Sequence, residues 1–270
     1  MEVFIKRDDL LHPTIMGNKW RKLKYNLIEA KNQGFSSLLT FGGAFSNHIY
    51  AVASAGAEFG FETIGIIRGD ELNENSNPTL KYAFSKGMKL IFVSRTDFQN
   101  KEKLALELGK NSFILPEGGT NELAIKGVKE LMYEIDNQIK PNYVCVSIGT
   151  AGTFAGLLNG SRIDCKIVGF PALKGITTVN QLISPDFFEN KTNYEIMLDY
   201  HFGGYGKYNN ELLNFIQTFE NEHHIPLEQV YNAKMFFGVL DLISKDYFPK
   251  NSKIVMVHTG GLQGKLHFKV

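Results

Sequence analysis

"YVCVSIGTAGTFAG", residues 143–156, decides the architecture. Its first six residues are apolar except for Ser147. A strand with one face in water alternates apolar and polar residues, whereas a strand covered on both faces does not. Gly149, Thr150, Ala151, Gly152 and Thr153 then make a turn, and the pattern continues as a helix. Strand, glycine turn and helix in succession form the repeating step of a parallel sheet with crossover helices. The same grammar extends in both directions. Strands are expected at "SLLTFGG" (37–43), "ETIGIIRG" (62–69), "MKLIFVS" (88–94), "SFILPEG" (112–118), "CKIVGFP" (165–171), "YEIMLDY" (194–200) and "KIVMVHTGG" (253–261). Between them, Ile49, Val52, Ala53 and Gly56 keep helical spacing, as do Leu212, Ile216 and Phe219. The fold class is therefore α/β, and residues 171–193 are the least regular stretch.

Bulk composition excludes several function classes. The chain has 270 residues, 43% of them hydrophobic and 21% charged, which is ordinary for a globular protein. Its 29 basic and 28 acidic residues leave a formal charge of +1, so neither a nucleic-acid nor a membrane surface is expected. No apolar run approaches membrane-spanning length. The opening "MEVFIKRDD" is broken by charge at once, unlike a signal peptide, so a cytoplasmic location is expected. Cys145 lies inside an apolar run and reads as a buried small hydrophobe rather than half of a disulfide with Cys165.

Three strand ends run into unusual turns, and in open parallel sheets ligands gather beyond the carboxyl ends of the strands. In "FGGAFSNH" (41–48), Gly42-Gly43 permits a tight turn, Ser46 stands where a helix N-cap belongs, and Asn47 and His48 add polar groups to the same first turn. In "SIGTAGTFAG" (147–156), Gly149, Gly152 and Gly156 leave backbone N–H groups uncovered beside the Thr150 and Thr153 hydroxyls. Such a loop can attract an anion. It is neither a dinucleotide fingerprint nor a Walker loop, and alone it reads equally well as a phosphate cradle or as an ordinary turn. In "HTGGLQG" (258–264), Thr259 is aimed at whatever occupies the edge of the sheet.

A fourth stretch supplies the missing cation. "IMGNKWRKLKYNLIEA" (15–30) starts a helix just after Gly17, with Trp20, Leu23 and Leu27 as its buried stripe and Lys19 and Lys22 together on a neighbouring face. A lysine enclosed beside another cation has a lowered pKa and can form a Schiff base with an aldehyde. An aldehyde carrying a phosphate arm is pyridoxal 5′-phosphate (PLP).

With these motifs together, the sequence resembles the fold-type II PLP enzymes of the 1-aminocyclopropane-1-carboxylate (ACC) deaminase and D-cysteine desulfhydrase family. The resemblance runs from "IKRDDL" to "HTGGLQG", and "GNKWRKLKYNL" is its most specific part. It implies two open, mostly parallel twisted sheets flanked by helices, as in the tryptophan synthase beta-like fold. A smaller domain over 20–130 is expected within a larger one formed by 1–19 and 131–270, the latter carrying the phosphate loop and the C-terminal strand. The resemblance further implies a homodimer acting on a small amino acid, with PLP as cofactor and no metal. It gives Lys19 the Schiff-base role and Lys22 a place beside the phosphate. Ser46 becomes a substrate-carboxylate contact and acid/base group, with His48 next to the substrate, and Asn47 the partner of the cofactor's ring hydroxyl. Residues 149–153 become the phosphate loop, Thr259 the residue facing the pyridine nitrogen, and Tyr205 and Tyr231 catalytic groups. By the same resemblance Asn232 and Leu262 flank the substrate, a mixture of what the two activities carry there. A neutral hydroxyl at the ring nitrogen implies a moderate electron sink suited to prompt elimination. The leading expectation is a lyase that removes a β-substituent from a small D-amino acid, with D-cysteine giving pyruvate, ammonia and sulfide. The alternatives are ACC ring opening to 2-oxobutanoate and ammonia, or PLP binding without catalysis.

Overall fold

The computed structural model describes residues 1–188 and 191–266. Nine strands are present among them: β1 (Glu2–Arg7), β2 (Ser37–Gly43), β3 (Glu62–Arg68), β4 (Lys89–Val93), β5 (Phe113–Leu115), β6 (Tyr143–Ile148), β7 (Lys166–Pro171), β8 (Tyr194–Ile196) and β9 (Lys253–His258). The α-helices are α1 (Asn18–Asn32), α2 (Asn47–Phe59), α3 (Pro78–Ser85), α4 (Lys101–Leu108), α5 (Glu122–Gln138), α6 (Gly152–Gly160), α7 (Asn210–His223) and α8 (Asn232–Ser244). The strands form a five-stranded sheet in the order β1-β9-β6-β7-β8 and a four-stranded sheet in the order β4-β3-β2-β5. Every pairing in both sheets is parallel.

Strand periodicity explains how the uninterrupted apolar runs are used. In β6, Val144, Val146 and Ile148 face a core shared with Val128, Leu131 and Phe154 of α5 and α6. Cys145, one residue out of phase, faces the opposite core with Ile216, Met235 and Phe236 of α7 and α8. Both cysteines are free and buried. The smaller sheet is covered likewise, with Leu38 and Ile67 against α1, α2 and α3, and Leu39, Phe41 and Ile66 against Phe98 and Leu104.

Two glycines set how closely the helices carrying the site approach. A Cβ on Gly127 of α5 would lie 2.1 Å from the Arg21 carbonyl oxygen of α1. A Cβ on Gly156 of α6 would lie 2.5 Å from the Val128 Cβ of α5. Gly156, expected to expose an amide in the loop, is thus a packing residue inside a helix. A buried ion pair fixes α1 further. Arg21 reaches Asp8 through Nε and Nη2, at 2.6 and 3.0 Å, and Glu134 of α5 at 2.8 and 2.7 Å.

Candidate active site

Four strand ends and one helix start converge on a cavity of about 870 Å³. Its walls come from residues following β2 (Ser46, Asn47, His48), β5 (Glu117, Gly118), β6 (Gly149 to Thr153) and β9 (Thr259), with Lys19 and Lys22 of α1 between them.

The two lysines meet at one acceptor. Lys19 Nζ donates to the Gly118 carbonyl oxygen at 3.1 Å, and Lys22 Nζ to the same oxygen at 3.0 Å. Lys22, only 2% exposed, also donates to Thr120 Oγ1 at 3.1 Å. Burial lowers the Lys19 amine to about 8. Burial, and then the neighbouring Lys19 charge, pushes Lys22 well below the usual lysine value. Two amines sharing one neutral carbonyl have no counter-charge beside them, and an anion bound there would favour their protonated forms.

The turn 149–153 provides the anion's other contacts. Ala151 adopts left-handed backbone geometry (φ 55°, ψ −5°), which turns the chain into α6, whose first residues, Gly152, Thr153 and Phe154, line the cavity and have no side-chain cap. A Cβ on Gly152 would stand 2.6 Å from Thr120 Oγ1 and 3.0 Å from Lys22 Nζ. The glycine therefore leaves a space bounded by amides, a cation and hydroxyls. Thr120 and Thr150 are joined through their Oγ1 atoms at 2.8 Å, and Asn18 Nδ2 donates to Thr153 Oγ1 at 2.8 Å, which ties the loop to the start of α1.

On the facing wall, Ser46 caps α2 by accepting from the amides of His48 and Ile49 at 3.2 and 3.3 Å. Its own hydroxyl proton stays free to donate into the cavity. Asn47 Oδ1 accepts from Gln263 Nε2, which holds its carboxamide in place. His48 is 1% exposed, and neither of its ring nitrogens has a hydrogen-bond partner. Burial first, then Lys19 and Lys22, push its pKa well below the ordinary value, so it is a neutral imidazole. A buried imidazole without partners beside a cavity is a polar group awaiting a ligand.

Tyr231 lies against the glycine loop, its ring edge 3.1 Å from where a Gly149 Cβ would be. Tyr205 packs edge-on to it with ring centroids 6.0 Å apart. Tyr205 sits on a loop held by Lys234 of α8, whose Nζ donates to the His201 and Gly204 carbonyl oxygens at 2.8 Å each. Burial, then Tyr205, raise the Tyr231 hydroxyl well above its usual value, so it stays protonated.

The expected site residues thus gather, with two exceptions. Asn232 is fully buried and lies behind Thr259 rather than on the cavity wall, and Leu262 does not line the cavity. Asn232 begins α8 one residue after Tyr231, and a helix turns about 100° per residue, so the two side chains diverge. Other participants escaped sequence reading. Gly118, which receives both lysines, belongs to "EGGT" (117–120), a double glycine after a strand like those at 42–43 and 260–261. Glu228 and Lys234 carried no local signal, because a single acid or lysine ordinarily belongs on the surface.

The residues fit PLP: a cationic pair, a glycine cradle that a Cβ would fill, and an unpartnered buried imidazole. Comparison with known proteins agrees. The profile of the family described as "Pyridoxal-phosphate dependent enzyme" matches residues 1–260. The chain is 30% identical to a Pyrococcus abyssi protein named "Putative 1-aminocyclopropane-1-carboxylate deaminase", over 99% of this chain and 87% of that one. A Pyrococcus horikoshii protein of the same name is 31% identical over 99% and 86%. A crystal structure described as an ACC deaminase homologue superposes with a TM-score of 0.83 at 29% identity, covering 97% of this chain and 85% of the other.

Proposed function

The chain belongs to the pyridoxal-phosphate-dependent enzyme family, and from that premise we propose that it eliminates a β-substituent from a small amino acid, D-cysteine being the type substrate. PLP is its cofactor, and the enzyme class is lyase or deaminase. When bound, PLP supplies an electron sink for charge developing at the substrate's α-carbon.

The protein's own groups divide the remaining work. Lys19 is the attachment point and, with its amine lowered to about 8, a base able to exchange a proton near neutral pH. Lys22, Thr120, Thr150 and the amides of 149–153 would hold the phosphate. Ser46 donates its hydroxyl proton to the substrate carboxylate, beside the first amides of α2, with His48 near it. Asn47 would meet the ring hydroxyl and Thr259 the ring nitrogen. One observation carries the choice of elimination: the Lys19 amine and the Tyr231 hydroxyl line the same cavity, with Tyr231 packed between Gly149 and Tyr205. A base at Lys19 suits removal of an α-proton, and a neutral Tyr231 hydroxyl suits a hydrogen bond to a departing thiolate, which needs no proton to leave. Ring opening by nucleophilic attack would instead call for a tyrosinate, which burial disfavours. The names of the Pyrococcus relatives favour the second reading, ACC opening to 2-oxobutanoate and ammonia.

The deciding experiment is a substrate panel on PLP-loaded protein with both cysteine enantiomers, ACC and D-serine, assaying 2-oxo acid and sulfide separately. Elimination predicts a higher kcat/KM for D-cysteine than for ACC, with sulfide equal to pyruvate. ACC as the better substrate would overturn it. A cytoplasmic homodimer, divided into a smaller domain over 20–130 and a larger one over 1–19 and 131–270, completes the proposal.

A further inference from the structure

Thr259 stands at the end of a hydrogen-bond chain whose polarity is fixed from its far end. Glu228 is 1% exposed and takes up the backbone amides at the start of α8. Its Oε2 accepts from Val230 N at 2.6 Å and Tyr231 N at 3.1 Å, while Oε1 accepts from Tyr231 N at 3.0 Å and Asn232 N at 2.6 Å. Each of these partners is an N–H, so a proton on this carboxyl would have no acceptor among them. Burial raises its pKa only to about 6, because the amides of Asn232, Val230 and Tyr231 and the Lys234 charge oppose burial, and it is ionised at neutral pH.

The next link is Asn232, which is fully buried. Its Nδ2 donates to Glu228 Oε1 at 3.1 Å and to the Gly260 carbonyl oxygen at 2.7 Å. Its Oδ1 lies 3.0 Å from the Thr259 amide nitrogen and 3.0 Å from Thr259 Oγ1. The carboxamide cannot be flipped. Reversal would set its oxygen against a carboxylate and a carbonyl, and its NH₂ against the Thr259 N–H. Oδ1 is therefore an acceptor at this position, and the Thr259 hydroxyl spends its single proton on it. Only the lone pairs of Oγ1 remain for the cavity, which Thr259 lines.

We infer that Thr259 is an obligate hydrogen-bond acceptor, set by Glu228 and Asn232 as positioning residues, so that the cofactor's ring nitrogen is held protonated. The inference rests on the placement of the ring nitrogen at Thr259 in the proposed function. An unprotonated nitrogen would require the hydroxyl to turn toward it, leaving Oγ1 and Oδ1 as two acceptors 3.0 Å apart. A chain that runs from a carboxylate through an amide to a hydroxyl also polarises each link toward the next acceptor, which strengthens the Oγ1 lone pair. On this inference the sink is stronger than a neutral hydroxyl viewed alone implies, because the charge behind the hydroxyl lies two residues away in the chain of bonds.

The test is the ¹⁵N resonance of holoenzyme loaded with PLP labelled at the ring nitrogen. At neutral pH the wild type should show a pyridinium-type shift. Thr259→Ser should keep it, and Thr259→Val and Asn232→Leu should move it toward the free-base position. A free-base shift in the wild type overturns the inference without recourse to any variant. A pyridinium shift unmoved by Asn232→Leu overturns the relay. A shift unmoved by Thr259→Val shows that the ring nitrogen is elsewhere, which overturns both the inference and that placement. Borohydride reduction of the same samples separates these failures from failure of the wider reading, because attachment at Lys19 is read independently of the nitrogen.

Discussion

Gly152→Ala should separate cofactor binding from folding. Gly152 opens α6, and its φ is not positive, so alanine can take its backbone conformation. Removing a glycine from a helix favours the fold by about 0.5–1 kcal/mol. Opposing that gain, the new methyl would stand 2.6 Å from Thr120 Oγ1 and 2.8 Å from Thr120 Cγ2. Thr120 cannot swing freely, because Thr150 holds it at 2.8 Å and Lys22 at 3.1 Å. Overpacking of this kind costs about 1–3 kcal/mol, so the cofactor-free protein should lose no more than about 2.5 kcal/mol. At about 2–4 °C per kcal/mol for a chain of this size, Tm should fall by no more than about 10 °C. The methyl also fills the space assigned to the phosphate and displaces either an amide contact or the Lys22 contact. Losing one hydrogen bond to a charged group costs about 1.5–3 kcal/mol, which weakens PLP binding roughly 10- to 100-fold. The assays are thermal melting of the cofactor-free protein and an equilibrium titration with PLP followed by absorbance. A PLP Kd within about threefold of wild type, in a variant that melts normally, would show that the phosphate lies elsewhere.

Two further outcomes follow from the groups around that cradle. Capture of PLP by the cofactor-free protein requires the neutral Lys19 amine, so its rate should rise with pH to about 8 and then level, rather than climb toward the ordinary lysine value of 10.5. Borohydride trapping should place the adduct on Lys19, and a rate still climbing above pH 9 (about one unit past that value) or an adduct on another lysine would refute the assignment. Arg21→Met retains the stem but leaves Asp8, 1% exposed, buried without its guanidinium partner. Breaking a buried pair costs about 3–5 kcal/mol, so Tm should fall by roughly 6–20 °C. Burial already raises the Asp8 carboxyl, and in the variant the deficit should shrink as pH falls and Asp8 is neutralised. A Tm loss below about 3 °C, or a deficit that grows toward acid, would refute this account.

The fold was legible where a segment's neighbours on both faces were written into its own composition. The runs at 143–148 and 253–258 are strands of the large sheet because their middles, Val144 to Val146 and Ile254 to Val257, are apolar on both faces. The run at 112–118 shrinks to Phe113–Leu115 because Pro116 has no N–H for a ladder and Gly118 and Gly119 take φ of 68° and 69°. The run at 194–200 stops at Ile196, and Tyr200 instead donates to Asp241 of α8 at 2.7 Å. In the site, Lys19, Lys22, Ser46 and residues 149–153 were legible because each sits in a local turn or cap with its own grammar. Asn232 was placed on the wrong side because proximity in sequence to Tyr231 says nothing about direction once a helix begins. Glu228 was invisible because its significance depends on burial alone.

Gly17 shows how the attachment point and the electron demand come to share one piece of scaffold. A Cβ on Gly17 would lie 2.0 Å from the Thr259 carbonyl oxygen, and Gly17 itself holds φ 58°, so no other residue fits without moving the strand end. The contact lets the Asn18 amide donate to that same oxygen at 3.2 Å. The start of α1, which carries Lys19, is thereby fastened to the end of β9, which carries Thr259. Asn18 extends the seam to the glycine loop 149–153 through Thr153. The groups assigned to the cofactor's carbon, nitrogen and phosphate are therefore set by one rigid junction of β6, β9 and α1. The groups assigned to the substrate come from elsewhere, on the turn after β2 in the smaller sheet, together with the Tyr205 loop that Lys234 holds. Substitutions in that turn or loop can change which amino acid is accepted while leaving the junction untouched. With the ring nitrogen placed at Thr259 as proposed, substitutions at Gly17, Asn232 or Glu228 should alter the sink for every substrate at once.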